Sequence, residues 1–332
     1  MPVNLNSPKI PSDSSVPHED IIPKGTLSVI SISNTNPTTS ETQLSSIKHS
    51  SFSEKEFSDR SSKGTSSASI YKQASRFVDE YPDILSEANP ALLFDRLYKM
   101  YAAETHPDMK GLSKAQKNQL FNVLVEIHQK GEVEIIQQDS SSRLLPISCN
   151  YFISPLSDRE GSEINSRITL TLQSSKVKDV LPFLAEMVRD NLDIEDGKIL
   201  SPDCQGIRTD SFIFYLRGAD IDKARELVAQ LNDNRTIKQA LIDHIPMGMK
   251  SLAPGVSYSE FSNIFPPDIF VVGGSSHGRS RSYILASAIA KWVKQEDRTE
   301  PKLYQYIAQE FRMCGYDPKD SALLSKKSNG AR

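Results

Sequence analysis

The stretch SSHGRSR at positions 275–281 gathers a His, a Gly and two Arg residues directly ahead of an apolar helical run. Its chemistry suits an anion. A Gly-containing turn presents backbone N–H groups, the helix that follows adds the positive end of its dipole, and guanidinium forks match the geometry of a phosphate or carboxylate. Ser276, His277, Arg279 and Arg281 are the candidate ligands. The same residues also read as an ordinary helix start, with Ser and His capping and the Arg side chains in solvent.

The elements that must position this segment follow from periodicity. Apolar and aromatic residues recur at helical spacing over 70–81 (Tyr71, Phe77, Val78) and 90–103 (Leu92, Leu93, Leu97, Met100, Tyr101). A third helix over 113–129 opens on Ser113 with Gln116 three residues on, a capping-box spacing, and ends before Gly131. Strands are expected at 133–136, 144–152 and 167–172, the last alternating Ile168, Leu170 and Leu172 with Arg and Thr. A helix over 177–191, strands at 198–200 and 211–216, and helices over 220–231 and 236–244 come next. After Pro246 the pattern is irregular through Ser257 and Tyr258. Pro266 and Pro267 mark an exposed loop, and helices over 283–293 and 303–312 close the chain, the first placing Trp292 in the core. The reading is α+β: a mixed or antiparallel sheet packed with helices, preceded by a helical subdomain and a disordered N-terminal tail.

Composition divides the chain. Residues 1–68 are rich in Ser, Thr, Pro and Asn, their longest apolar islands being Ile21-Ile22 and 27–32, too little to offset the entropy of ordering. One α+β domain is expected over 69–332, with a helical front part at about 69–131 and a sheet-containing part at about 132–325. Of the 332 residues, 38% are hydrophobic, the net charge is −3 and the pI is near 6.1, and no Lys/Arg stripe with interleaved aromatics appears. Nucleic acid is therefore not the expected partner. Cys149, Cys204 and Cys314 lie far apart without His-rich company, so free thiols are expected and no metal site or cofactor. No apolar run is long enough to span a bilayer. Nor does a Walker loop, kinase signature, GxSxG elbow, HExxH or catalytic Cys/His pattern occur.

The order of short motifs resembles the Hrp outer protein A effectors (HopPsyA type) that plant-pathogenic pseudomonads inject into host cells. The matching stretches are RITLTL from Arg167, GKILSP from Gly197, TDSFIFY from Thr209, DHIPMGMKS from Asp243, PGVSYSE from Pro254, SSHGRSR, and GYDPKDSALL from Gly315. The resemblance implies a virulence protein exported by type III secretion and acting inside the host cell, in the host cytoplasm, on an immune-related host protein. It also implies a secretion chaperone bound to the N-terminal region. The first acidic residue is Asp13, and an acid-free, Ser/Pro/Asn-rich start is similar to the export signals of such substrates.

Domains similar to this family resemble phosphoserine/phosphothreonine lyases, which release phosphate by β-elimination. That reaction needs a base for the α-proton, an acid for the leaving oxygen, and cations around the dianion. On this resemblance Lys198 is the candidate base and His277 the acid, with Arg279 or Arg281 as clamp and Arg208 a further cation. Asp210, Ser211 and Tyr215 lie on one expected strand, Asp210 and Tyr215 on opposite faces, Ser211 and Tyr215 on the same one. Asp210 could orient Lys198 across the sheet, and Ser211 could hydrogen-bond an oxyanion. His244, Ser257 and Tyr258 could form a lip of the cleft. Each residue also has a structural reading, as edge-strand Lys, turn Asp or rim Tyr. A competing reading keeps the cleft without turnover, holding a small anionic or phosphopantetheine-like ligand or a phosphorylated host peptide.

Overall fold

A computed structural model of the protein describes residues 66–83, 89–102, 106–140, 148–156, 163–269 and 276–325. The tail expected over 1–68 lies outside the described residues except for its last three positions. Seven strands form an antiparallel sheet: β1 (Val133–Ser140), β2 (Ser148–Pro155), β3 (Ile164–Leu170), β4 (Ile194–Leu200), β5 (Phe212–Arg217), β6 (Lys250–Ala253) and β7 (Val256–Glu260). Their order is β1-β2-β4-β5-β3-β7-β6.

Alternation along the strands gives this sheet two unlike faces. Ile168 lies opposite Phe214 and Tyr258, and Phe214 opposite Gly197. This apolar face packs against α3 (Lys114–Gln129), α4 (Val177–Asp190), α5 (Ile221–Asp233) and α6 (Arg235–Ala240), which contribute Leu124, Leu184, Leu227 and Ile237 to a shared core. On the other face Arg167 lies opposite Tyr215 and Ser259, and Thr169 opposite Ile213 and Ser257. Asp196 lies opposite Tyr215, and Lys198 opposite Ile213.

A second core joins α1 (Ser66–Glu80), α2 (Pro90–Ala102), α7 (His277–Val293) and α8 (Glu300–Met313) to a C-terminal hairpin, β8 (Tyr316–Asp317) and β9 (Asp320–Leu324). Helix α7 is buried almost all round, and Trp292 packs there with Nε1 donating to Thr299 O at 3.0 Å. The front helices are thus shared between the two cores: α1 and α2 belong to the helical one, while α3 packs on the sheet.

Most expected elements are present, and the capping box of α3 forms between Ser113 and Gln116 as its spacing indicates. Helix α6 ends at Ala240, short of the expected 244, because Leu241 bridges to Leu172 and Ile242 N donates to Thr171 O. The irregular stretch after Pro246 is the β6–β7 hairpin. Its buried Ser257 and Ser259 alternate with Val256 and Tyr258, so both faces of β7 are covered and the hydroxyls disguise the pattern.

Close packing of α4 on the sheet depends on Gly197, where an added Cβ would stand 2.8 Å from Phe212 Cζ and 2.9 Å from Val188 Cγ2. Replacing it forces the layer apart. Gly197→Ala is expected to lower the unfolding free energy by about 1–3 kcal/mol, the usual cost of overpacking, as measured by urea denaturation.

Candidate functional site

The polar sheet face is closed over rather than left to solvent, and its charges set the character of the site. Arg167, on β3, is only 9 % exposed. Its Nη2 donates to Met249 Sδ at 3.6 Å, and its Nε has no hydrogen-bond partner among the described residues. Burial lowers its pKa, opposed by the nearby Tyr215 and Asp210. A guanidinium facing a thioether is poorly compensated, because a buried charge is tolerated when paired and hydrogen-bonded. An anion would supply what the thioether does not.

Neighbouring groups reinforce that bias. Arg208 pairs with Asp210, Nη2 to Oδ2 at 2.7 Å, while its Nε has no partner among the described residues. Burial pulls the Arg208 pKa down, but Asp210 and Tyr98 outweigh it. Burial pushes the Tyr215 phenol up to about 12 against the pull of Arg167, so it stays a donor at neutral pH. The buried hydroxyls Thr169 Oγ1 and Ser259 Oγ also lack partners among the described residues. Lys198, half-buried on β4, shares this face and sits diagonal to Tyr215. Asp196 is engaged by Ser154 Oγ at 2.5 Å.

His277 begins α7, whose N-terminus is capped by Ser276 Oγ accepting from Arg279 N at 3.4 Å. Its ring is 2 % exposed, with Nε2 2.9 Å from Met247 O and the edge-on Tyr101 ring 6.0 Å away. A carbonyl only accepts, so Nε2 carries the proton and Nδ1 presents a lone pair that no described group engages. Burial, then Arg281 and Arg167, hold its pKa well below 6.5, against a smaller upward pull from Met247. The ring is neutral at pH 7. A neutral imidazole held this way presents an acceptor at Nδ1 and its one N–H to Met247 O.

Other expectations are redirected by geometry. Arg281 is fully buried, donating from Nη1 to Glu260 O at 3.0 Å and from Nη2 to Ser321 O at 2.6 Å, with Cζ 4.2 Å from the centre of the Tyr316 ring. These contacts tie the sheet to the C-terminal hairpin, while Arg281 Nε has no partner among the described residues. Ser211 Oγ accepts from Leu172 N at 3.1 Å and returns to Leu172 O at 3.3 Å, which spends the hydroxyl on the backbone after β3. Asp210 precedes β5, so strand alternation does not reach it, and its charge acts on the same side as Tyr215 and Arg167. It holds Arg208 rather than Lys198. Arg279 is half-buried on the first turn of α7, and its backbone N–H completes the Ser276 cap.

Of the possible lip residues, Ser257 lies on the polar face, with Oγ 3.4 Å from Met249 Sδ. Tyr258 points the other way and its hydroxyl donates to Glu260 Oε1 at 3.0 Å. His244 stacks obliquely on His106, 5.1 Å between ring centres. Among the described residues no group of three or more metal-ligating side chains occurs, and no helix is long and apolar enough to cross a membrane. Cys204 and Cys314 are free thiols. Arg167 itself was not singled out from sequence, although RITLTL signals it: a strand alternating Ile and Leu with Arg, Thr and Thr carries its charge on a face that the rest of the chain must cover.

Comparison with known proteins places these features. The HopA1 effector protein family model matches residues 148–323, which takes in β2 to β8 and all but the last residue of β9. A curated relative, Protein HrmA of Pseudomonas syringae pv. syringae, is 28% identical over 171 residues, covering 51% of this chain and 41% of the relative. The chain therefore aligns with about two-fifths of that protein's length. Two solved effector structures share the fold. One, from Pseudomonas syringae pv. syringae strain 61, has a TM-score of 0.62 at 22% identity and covers 79% of this chain and 98% of its own. The other, from Pseudomonas syringae pv. tomato strain DC3000, has a TM-score of 0.56 at 23% identity and covers 77% and 100%.

The depressed pKa of His277 has a signed consequence. The unfolded ring takes up a proton near pH 6.5 and the folded ring does not, so the stabilisation is complete above that pH and is lost as pH falls below it. Unfolding free energies measured across this range should decline less steeply for His277→Gln than for the parent. In the parent, the His277 ring resonances should show no titration between about pH 6 and 8, where an ordinary His changes charge.

Proposed function

The chain belongs to the HopA1 effector protein family, and from that premise we propose that it is a type III secreted virulence effector that binds a phosphate-bearing ligand on the polar face of its sheet. Delivery is into the host cytoplasm. Its N-terminal residues engage a secretion chaperone, and the target is a host immune-related protein or a phosphorylated peptide from one. The family match supports the effector reading, and the acid-free start of the chain supports the export signal. Deleting residues 1–65 should abolish type III export, assayed by secretion into medium, while leaving a cooperatively folding remainder.

One observation carries the ligand class: Arg167 is buried against a thioether, with Arg208 and Lys198 on the same side and Asp210 already committed to Arg208. Charge-assisted bonds to a dianion would relieve that imbalance. Calorimetric titration with inorganic phosphate and a phosphothreonine peptide tests it. Arg167→Met should weaken binding by about ten- to a hundredfold, the effect of losing one charge-assisted interaction of about 1.5–3 kcal/mol. Equal affinity in the variant, or no binding by the parent, would sink the proposal.

A second reading, β-elimination, is favoured by the unengaged Nδ1 of the neutral His277. In that reaction a base removes the Cα proton of a phosphoserine or phosphothreonine. The C–H electron pair becomes a Cα=Cβ double bond, the Cβ–O bond breaks, and phosphate leaves with its electrons. Here His277 supplies the base, and Lys198, the base expected from sequence, supplies N–H donors to the leaving oxygen. Loss of phosphoric acid from a phosphopeptide, seen by intact mass and abolished in both Lys198→Ala and His277→Ala, separates turnover from binding alone.

A further inference from the structure

The first turn of α1 reaches the one loop on which both buried site residues rest. Gly248 donates its backbone N–H to Ser69 Oγ at 3.0 Å. Its φ of +73° is a conformation that glycine adopts without strain. A Cβ built there would stand 2.5 Å from Ile70 Cδ1 and 3.5 Å from His277 Cε1. Ile70, fully buried, therefore closes over Gly248 with the imidazole directly behind. On one side of Gly248, Met247 O meets His277 Nε2; on the other, Met249 Sδ meets Arg167. Met249 N returns to Pro246 O at 3.1 Å, closing the turn. Three consecutive residues thus touch His277, α1 and Arg167 in order.

Helix α1 is itself anchored elsewhere. Ser75 Oγ donates to Glu300 Oε1 at 2.8 Å and lies 2.9 Å from the Tyr304 hydroxyl, both on α8. Tyr71 meets Tyr304 edge-on, and Ala74 and Phe77 are buried in the helical core.

We propose that Ser69 and Ile70 are positioning residues for the anion site: through the 247–249 turn, α1 fixes His277 and Arg167 relative to one another, so that α1 docking and site occupation are coupled. The ligand part of this rests on the anion reading above, while the placement of His277 does not. Linkage makes the coupling reciprocal, so an anion that needs the assembled site also holds α1 in place. A partner that drew on the chain ahead of α1 would act on the site through the same turn.

The experiment uses the full chain with Ser69→Ala, Ile70→Val and, as reference, Ser75→Ala, which removes a hydroxyl contact to α8 while the buried Tyr71, Ala74 and Phe77 keep α1 docked and the turn is untouched. His277 ring resonances and the affinity for inorganic phosphate are measured for each. Ser69→Ala and Ile70→Val are expected to shift the His277 resonances and weaken phosphate binding by about fivefold or more, with Ser75→Ala unchanged. Phosphate should also slow hydrogen exchange in α1 of the parent. Unchanged resonances in both turn variants, or equal shifts in Ser75→Ala, overturn the proposal. If the parent binds no phosphate, the anion reading fails by itself and the His277 resonances still decide the positioning role.

Discussion

The cost of burying the Arg167 guanidinium governs the rest of this molecule. A sheet with one apolar face would ordinarily leave its other face in water, where an Arg, two Thr and several Ser residues need no further partners. Here the helical core and the 247–249 turn close over that face, and Arg167 becomes 9 % exposed with a methionine sulfur as its contact. Tyr215 and Asp210 offset that desolvation, while Arg281 and Arg208 add to it. Tyr215 lies opposite as a protonated phenol, Asp210 contributes charge while paired to Arg208, and His277 stays neutral instead of adding another cation.

Helix α7 separates two uses of the same kind of side chain. His277 and Arg281 lie one turn apart, and both are buried. Arg281 meets two carbonyls and an aromatic face, a neutral acceptor set that anchors the C-terminal hairpin and leaves its positive charge to act on His277. Around the same node Glu260 Oε2 accepts from Leu324 N at 2.6 Å and Tyr316 Oη from Ser262 N at 2.8 Å. Arg167 lacks such carbonyls. The two guanidiniums share an unpartnered Nε among the described residues and differ in their Nη acceptors, carbonyls for Arg281 and a thioether for Arg167, so burial is better compensated at Arg281.

That distinction explains which parts of the site were legible in the sequence. Helices with an apolar stripe, such as α3 and α4, announce themselves because one periodicity dictates one buried face. The SSHGRSR segment was recognisable as a helix start, and Ser276 does cap α7. That Arg281 meets the carbonyls of Glu260 and Ser321 is something no local pattern reveals. Arg167 was hidden by the opposite problem: alternation identifies a polar face but not whether another layer will bury it. The β6–β7 hairpin was obscured for the same reason, since Ser257 and Ser259 look solvent-facing and are fully buried. Strand alternation does not assign Asp210 to a face, because β5 begins at Phe212, two residues beyond it.

The site draws on residues from Ser69 in α1 to His277 in α7, with β3, the 201–210 loop and the 247–249 turn between them. No contiguous piece of the chain contains it. In the unfolded chain Arg167 is hydrated, and the poorly compensated charge arises only when long-range contacts have formed. The favourable burial in the two apolar cores must then carry the unfavourable burial of the guanidinium between them. A ligand that neutralises Arg167 would lower that cost and stabilise the closed arrangement, whereas it would gain little from either core alone. Binding and completion of folding are in this sense one equilibrium, with the junction between the two cores as the place where they meet.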